Sequence, residues 1–354
     1  MPPFAIRGRG AADNPANRFE RLAVIRDSWA EADDPAPSTE LLHDASRSII
    51  SPNDSPDVGF DTSINPYRGC EHGCIYCYAR PFHEYLGFSA GLDFETKILV
   101  KLDAPELLRA ELSSPRWRPQ TIQLSGVTDP YQPAERRLGV TRRCLEVLAE
   151  FRNPVAITTK NHLVTRDLDL LQQLAEHGAA AVCLSITTLD HRLQRLLEPR
   201  TSTPTRRLEA INVLSSAGVP TAVAIAPVIP GLTEHELPRI VASAAEAGAT
   251  AAGYIMLRLP YAVAPLFEGW LDAHFPDRKA KVLNRIRQLR GGKLYDSRFG
   301  VRGKGEGHFA DQIAEMFEVS CRRVDLDTRL PTLSAAAFRL PGQRRQLDLF
   351  GRDP

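Results

Sequence analysis

From about residue 61 onward, short runs of β-branched and other apolar residues alternate with longer segments whose apolar positions recur every three or four residues. The short runs predict strands at Thr62–Pro66, Thr121–Leu124, Val155–Thr158, Ala181–Ile186, Thr221–Ala226 and Ala252–Leu257. Between them, Thr141 to Phe151, Arg166 to His177, Pro204 to Ala217 and Glu234 to Ala247 carry helical periodicity. Gly218 and Gly248 stand where left-handed C-caps belong, and Asp167 and Thr233 are predicted N-caps. Strand–helix alternation implies a parallel sheet with right-handed crossovers. Six such units within residues 61–275 fall short of the roughly 250 residues of a closed eight-fold barrel. The expected fold class is therefore α/β, a partial (β/α)6 barrel, with a doubly wound open sheet as the second choice.

The flanks read differently. Residues 1–60 are rich in Pro, Asp, Asn, Ser and Arg and predict an extended or partly ordered arm, with Asn14 to Ile25 fit for a short helix. Residues 276–329 predict a basic helical and loop extension, and residues 330–354 a flexible tail. Net charge is only +1, but between Arg278 and Ala310 ten Lys/Arg face two carboxylates, Asp296 and Glu306. The most apolar stretch, Val219 to Leu232, is broken by three prolines and is shorter than the roughly 20 residues of a membrane span. The N-terminus, MPPFAIRGRG, lacks the apolar centre of a secretory signal. Of six cysteines three are clustered, while Cys144, Cys183 and Cys321 are scattered and read as small buried residues. That is not a secreted disulfide framework, and it points to a reducing, cytoplasmic compartment.

The clustered cysteines, Cys70, Cys74 and Cys77, are spaced C-x3-C-x2-C just after the first predicted strand. Thiolates hold the irons of a cubane cluster, and three ligands leave one iron open for a small molecule. Gly69 and Gly73 let the loop turn tightly. The competing readings are zinc, with His72 or His83 as fourth ligand, and a purely structural cluster. In open α/β barrels ligands bind at the carboxyl ends of strands. Those ends carry Ser125, Gly126, Thr128 and Asp129; Thr159, Lys160 and Asn161; Ser185 and Thr187; Pro227 to Glu234; and Arg258. Asp129 before Pro130 also suits a turn, and Glu234 a first helical turn.

The triplet, with the aromatic Tyr76 just before its last cysteine, resembles the signature of the radical S-adenosylmethionine (SAM) superfamily. The longer segments INPYRGCEHGCIYCYAR, SGVTDPYQPAE, TTKNHLVTRD and LEPRTSTP are similar to its bacterial subfamily grouped with spore photoproduct lyase, called DNA-repair-photolyase-like. The resemblance spans residues 60–275 and implies a partial barrel, a 4Fe–4S cluster on Cys70, Cys74 and Cys77, bound SAM, and an external electron donor of flavodoxin or ferredoxin type. It further implies reductive cleavage of SAM to methionine and a 5′-deoxyadenosyl radical that abstracts hydrogen from substrate. In the family a Gly-Gly-Glu motif binds the SAM amino group; the matching stretch here is Ser125-Gly126-Val127-Thr128-Asp129, a departure. Ile229, Gly231 and Glu234 match the motif beside adenine, with Pro227 in place of its first glycine, and Ser185 looks like the residue near the ribose. Lys160, Arg200 and Arg258 are candidate partners of the SAM carboxylate. Spore photoproduct lyase also returns hydrogen from a cysteine; here Cys144 and Cys183 both read as core.

Two further features point toward nucleic acid. The glycine-rich loop from Gly291 to Gly305 interleaves Lys293, Arg298, Arg302 and Lys304 with Tyr295 and Phe299, a pattern suited to phosphates and stacked bases. Arg278 to Arg290 reads equally as a solvated helix face. Gln346-Leu347-Asp348-Leu349-Phe350 resembles the peptide by which bacterial proteins dock on the replication sliding clamp, with Gln346, Leu347, Leu349 and Phe350 as anchors. The function expected is a radical SAM enzyme of DNA repair or modification, a lyase by analogy. The alternatives are an RNA, peptide or metabolite substrate, or a non-catalytic metal-binding protein on DNA or the clamp.

Overall fold

The computed structural model describes residues 6–20 and 37–342. Among these, ten strands form two sheets: β1 (Glu40–His43), β2 (Ile50–Pro52), β3 (Thr62–Ile64), β4 (Tyr67–Arg68), β5 (Lys97–Val100), β6 (Ile122–Leu124), β7 (Val155–Thr159), β8 (Ala180–Ser185), β9 (Thr221–Val228) and β10 (Ala251–Met256). The larger sheet runs β10-β9-β8-β7-β6-β3-β2 and is parallel except for β2. All six predicted strands are present, in chain order. Because neighbours follow chain order from β3 to β10, the sheet winds one way without reversal. A doubly wound sheet would have a switch point; the sheet is a partial barrel.

Alternation along the strands decides which face is which. Val155, Ile157, Val182, Leu184, Val223 and Ile225 belong to the main apolar core. The intervening Ala156, Ala181, Cys183, Ala222 and Ala224 occupy the other face, where Cys183 packs with Ala222 and Ala251 in a small separate cluster. Large side chains on the helix-covered face and small ones on the concave face leave the lumen room. Cys144 is core as expected, whereas Cys183 lies on the concave face, because it sits out of phase with Val182 and Leu184.

The expected helices form at Val140–Phe151, Leu168–Ala175, Pro204–Ser216 and Leu237–Glu246. Gly218 and Gly248 take the left-handed conformation expected of them. The two predicted N-caps do other work. Asp167 makes no cap bond and instead accepts from Arg142 and Arg166, and Thr233 Oγ1 accepts from Ile229 N.

The flanks are more integral than their composition predicts. β1 and β2 join the two sheets, and Ala11 is buried in the same apolar cluster as Cys74. A Cβ on Gly10 would lie 1.8 Å from Gly73 O. Residues 14–20 form no helix, with bends at Arg18 and Phe19, and are held by Asn17 Nδ2 on Glu84 O and Phe88 O; the rest of that expected helix lies outside the described residues. The extension forms the helices Pro276–Gln288 and His308–Arg323. The start of the expected tail is docked: Arg339 N donates to Phe151 O at 2.9 Å, and Phe338 packs on Phe151. No helix among the described residues is long and apolar enough to cross a membrane.

The arm's tight seat gives an expected outcome. Gly10→Ala should lower the unfolding free energy by about 2 kcal/mol, because backbone must shift to admit the methyl group. Gly269→Ala, in a helix with open space around the site, should raise it by about 0.5–1 kcal/mol. Urea unfolding of both variants checks the opposite signs.

Candidate active site

The three cysteines lie on residues 69–79, a stretch of turns with almost no regular structure. Gly69 and Gly73 adopt φ of +78° and +66°, which only glycine takes without strain. Inside the stretch, Cys70 N donates to Phe94 O and Cys77 N to Cys74 O. Distant side chains, in four groups, supply most of the remaining support.

Arg80, fully buried, donates to Cys74 O, Gly73 O, Ala90 O and Gly91 O and pairs with Glu95 at 2.5 Å. Glu95 in turn accepts from Gly10 N and Ala11 N, tying the arm to the loop. On the other side Tyr76 donates its hydroxyl to Glu198, which also accepts from Thr187 Oγ1 and Arg207 and lies 3.2 Å from Lys160 Nζ. Burial alone would raise the Glu198 carboxyl; Arg207 and Lys160 overturn that and hold it well below the ordinary carboxylate range.

The third group comes from the segment 129–135, where Asp129, Gln132 and Glu135 all reach back to the loop or its approach. Gln132 Oε1 accepts from Glu71 N and its Nε2 donates to Gly69 O. Glu135 accepts from Tyr67 Oη and Arg166. Asp129 accepts from Thr159 Oγ1, Lys160 N and His72 Nδ1. The fourth follows from Asn161. Its Oδ1 is taken by Leu163 N and Ser202 Oγ, so its Nδ2 is the donor to His72 Nε2 at 3.1 Å. That assigns the His72 proton to Nδ1, facing Asp129. Burial works to raise the Asp129 carboxyl, but His72 and these hydrogen bonds keep it below its usual range.

The donor set is three free thiols on one stretch, soft ligands that suit an iron–sulfur cluster. Burial pushes all three upward, and Cys74 and Cys77 push Cys70 further, so the three sit within electrostatic reach of one another. Yet among the described residues no three His, Cys, Asp or Glu side chains converge as on one metal ion. His72 has both ring nitrogens engaged. His83 packs against Phe88 and Phe94, burial lowers it to about 4, and its buried Nε2 has no partner among the described residues. Cluster binding to such thiols displaces their protons.

The strand ends meet around this loop. Ser125 takes φ +88°, and Gly126 N, Val127 N and Thr128 N all donate to Asn65 Oδ1. Thr128 Oγ1 donates to Tyr67 O, and Tyr78 Oη to Gly126 O. Lys160 Nζ donates to Ser185 Oγ, Thr187 Oγ1 and Ala226 O. Its charge is thus shared with Glu198, and Arg200 is paired with Glu71. Of the three candidate cations Arg258 remains: its guanidinium lies 5.0 Å from the Tyr78 ring centre and its buried Nε has no partner among the described residues. Glu234 Oε2 is likewise buried without a partner among them. Ile229 is fully buried in an apolar cluster, and Gly231, at φ +79°, abuts Val282.

The basic loop is less free than its sequence predicts. Arg298 pairs with Asp296 and Glu306, and Arg302 with Asp57. Lys304 is exposed, but its ammonium is engaged. Its ammonium lies 3.5 Å from the Tyr254 ring centre and donates to Tyr254 O, and burial lowers it to about 8. Lys293 remains exposed. Gln346, Leu347, Leu349 and Phe350 lie outside the described residues.

A one-way parallel sheet with a three-thiol loop beyond its first parallel strand and an open lumen defines the class of molecule. Residues 64–244 match the radical SAM superfamily model, and the chain belongs to that superfamily. It is 35% identical over 287 residues to an uncharacterised protein of Mycobacterium tuberculosis, covering 80% of this chain and 83% of that one. It is 28% identical over 173 residues to the radical SAM Nalpha-GlyT isomerase of Pseudomonas phage M6, covering 48% of this chain and 34% of the isomerase. Among solved structures, spore photoproduct lyase with bound AdoMet and dinucleoside spore photoproduct superposes with a TM-score of 0.59 at 16% identity, covering 81% of this chain and 80% of that one. The protein is an enzyme whose cofactors are a 4Fe–4S cluster and SAM.

Glu198, Arg207, Arg80, Glu95, Gln132 and Asn65 are the site residues that sequence reasoning missed. A signal was present at Asp129, Gln132 and Glu135, polar residues spaced three apart among prolines. Removing one member of a buried pair is costly. Glu198→Gln should destabilise the protein by about 3 kcal/mol at pH 7 and weaken cluster retention. A carboxyl depressed on folding stabilises above its unfolded pKa of about 4.3. The difference from wild type should therefore be complete at neutral pH and shrink as pH falls below about 4, as read by urea unfolding across pH.

Proposed function

We propose that this radical SAM enzyme acts on DNA, repairing or modifying a base. The cluster and SAM, when bound, supply one-electron cleavage of the sulfonium and with it a carbon radical able to abstract hydrogen. The chain's own part is to hold the loop, line the lumen with small side chains and present the substrate.

The observation that carries the DNA reading is a solvent-exposed ladder of rings and a guanidinium beside the cysteine loop. Tyr261 (63% exposed) follows β10 and takes φ +49°, an unusual backbone for an aromatic residue. The Arg18 guanidinium lies 3.8 Å from its ring centre and 5.0 Å from that of Phe19. Phe19 stacks on Tyr85 at 4.8 Å, and Phe82 follows at 6.5 Å. The ladder thus runs Phe82, Tyr85, Phe19, Arg18, Tyr261, and its first two rings stand on the turn Arg80–Leu86 that directly follows the cysteines. Arg302 covers the exposed ring of Phe299 and lies within electrostatic reach of Tyr78, the exposed ring next to Cys77. Alternating rings and arginines stack unpaired bases without regard to sequence. The spore photoproduct lyase that shares this fold holds a dinucleoside lesion, a ligand of the same class.

The test is deoxyadenosine release by the reduced holoprotein with UV-irradiated DNA, undamaged DNA and RNA. Release stimulated by damaged DNA alone is the expected result; equal release with all three would sink the proposal. Each base–ring stack is worth about 1–3 kcal/mol. Tyr85→Ala and Tyr261→Ala should therefore each weaken binding of irradiated single-stranded DNA by roughly ten-fold, read by fluorescence anisotropy. Recruitment through Gln346, Leu347, Leu349 and Phe350 is part of the proposal: deleting residues 346–350 should abolish retention on an immobilised bacterial sliding clamp and leave deoxyadenosine release unchanged.

A further inference from the structure

We propose that an arginine-lined cavity on the outer side of the cluster loop is the docking surface for an acidic electron-donor protein. The inference rests on the radical SAM reading, because only a cluster that must be reduced needs such a partner.

The cavity measures about 830 Å³ and lies between the arm, the helix His191–Leu197 and the end of the helix Val263–His274. Arg7, Arg192, Arg195, Arg239 and Arg278 line it, all exposed, and none makes an ion pair among the described residues. The two lining carboxylates are turned to local bonds. Asp190 caps Arg192 N and Leu193 N, and Glu236 accepts from Thr188 Oγ1 and Leu189 N. Five unpaired guanidinium groups against two carboxylates leave the concavity net positive, which favours a partner surface carrying several carboxylates and steers it at a distance. Arg298 and Arg302, by contrast, are neutralised within the fold.

Position selects a redox partner over other anions. Leu193, in the cavity wall, belongs to the same buried apolar cluster as Cys74 and Ile75. The next residue after lining Leu196 is Leu197, whose carbonyl accepts from Ile75 N at 3.1 Å. One hydrogen bond and one peptide unit thus connect the cavity wall to the residue beside Cys74. The helix Val263–His274 separates the cavity from the aromatic ladder: Tyr261 precedes its start and His274 lines the cavity at its end. Twelve residues at about 1.5 Å each place the two surfaces roughly 18 Å apart along that helix. Substrate and reductant can then engage at the same time. In the transfer one electron leaves the donor and enters the cluster; the donor is oxidised by one, the cluster reduced by one, and no bond is made or broken.

The test uses full-length, cluster-loaded protein and a bacterial flavodoxin as probe. The triple variant Arg192→Glu/Arg195→Glu/Arg239→Glu should raise the flavodoxin Kd at least about ten-fold at low salt and flatten its salt dependence. Cluster reduction by reduced flavodoxin should slow by a similar factor, while reduction by photoreduced deazaflavin, a small donor that needs no docking surface, stays unchanged. Should charge reversal impair folding, the Arg→Gln version of the same triple supplies the binding measurement. Unchanged flavodoxin affinity in either folded variant overturns the proposal. So does loss of DNA retention with flavodoxin affinity intact, which would make the surface a phosphate track. Failure of deazaflavin-reduced wild type to cleave SAM would instead count against the radical SAM reading and leaves the flavodoxin binding result to decide the docking surface.

Discussion

Two buried ion pairs hold a loop that has no regular structure with which to hold itself. Arg80–Glu95 grips the carbonyls of Gly73 and Cys74 from one side, and Glu198 with Arg207 and Lys160 grips the Tyr76 hydroxyl from the other. Buried pairs contribute little net stability, because desolvation offsets attraction, but each fixes its partners in one geometry. Three thiols that must meet the corners of one rigid cluster need that geometry more than they need added stability. Both pairs also accept or donate bonds to the loop, so a shift in either moves the loop itself.

Outward from the loop, the same logic explains the sheet. Strands β7, β8 and β9 place large residues toward the helices and small ones toward the lumen, as in Val182 against Cys183 and Val223 against Ala222. The core is closed where it stabilises and open where a ligand enters. Polar strand ends then serve as struts: Asp129 on His72, Gln132 on Gly69 and Glu71, Asn161 on His72. Arg258 and Glu234, each with a polar atom left unpartnered among the described residues, are the exceptions.

Strands and helices were legible in the sequence because their signal is local and periodic; all six predicted strands appear within two residues of their expected ends. The cysteine triplet was legible for the same reason. The struts were not, since their partners lie far apart in sequence, 122 positions for Tyr76 and Glu198 and 61 for Glu71 and Gln132. Local rules misread other positions too. Asp167 looks like a cap but is claimed by two arginines, and Lys304 looks like an unengaged surface cation but its ammonium lies over Tyr254. The arm reads as extended or partly ordered by composition, yet the backbone of Gly10 and Ala11 is tied to the carboxylate of Glu95, which composition cannot reveal.

Charge separates chain order from space most clearly. In the densest basic run of the sequence, Asp57, Asp296 and Glu306 meet Arg298 and Arg302. Of the unpaired guanidinium groups around the cavity only Arg278 belongs to that run; the others come from positions 7, 192, 195 and 239, which no window along the chain would group with it. They converge because the arm crosses the cluster loop and brings Arg7 to the segments that follow β8 and β9. Since the arm is itself anchored through Glu95 to Arg80, the buried pair that fixes the thiols also sets one wall of the cationic surface. A single buried carboxylate thereby couples where the cluster sits to where its reductant would approach.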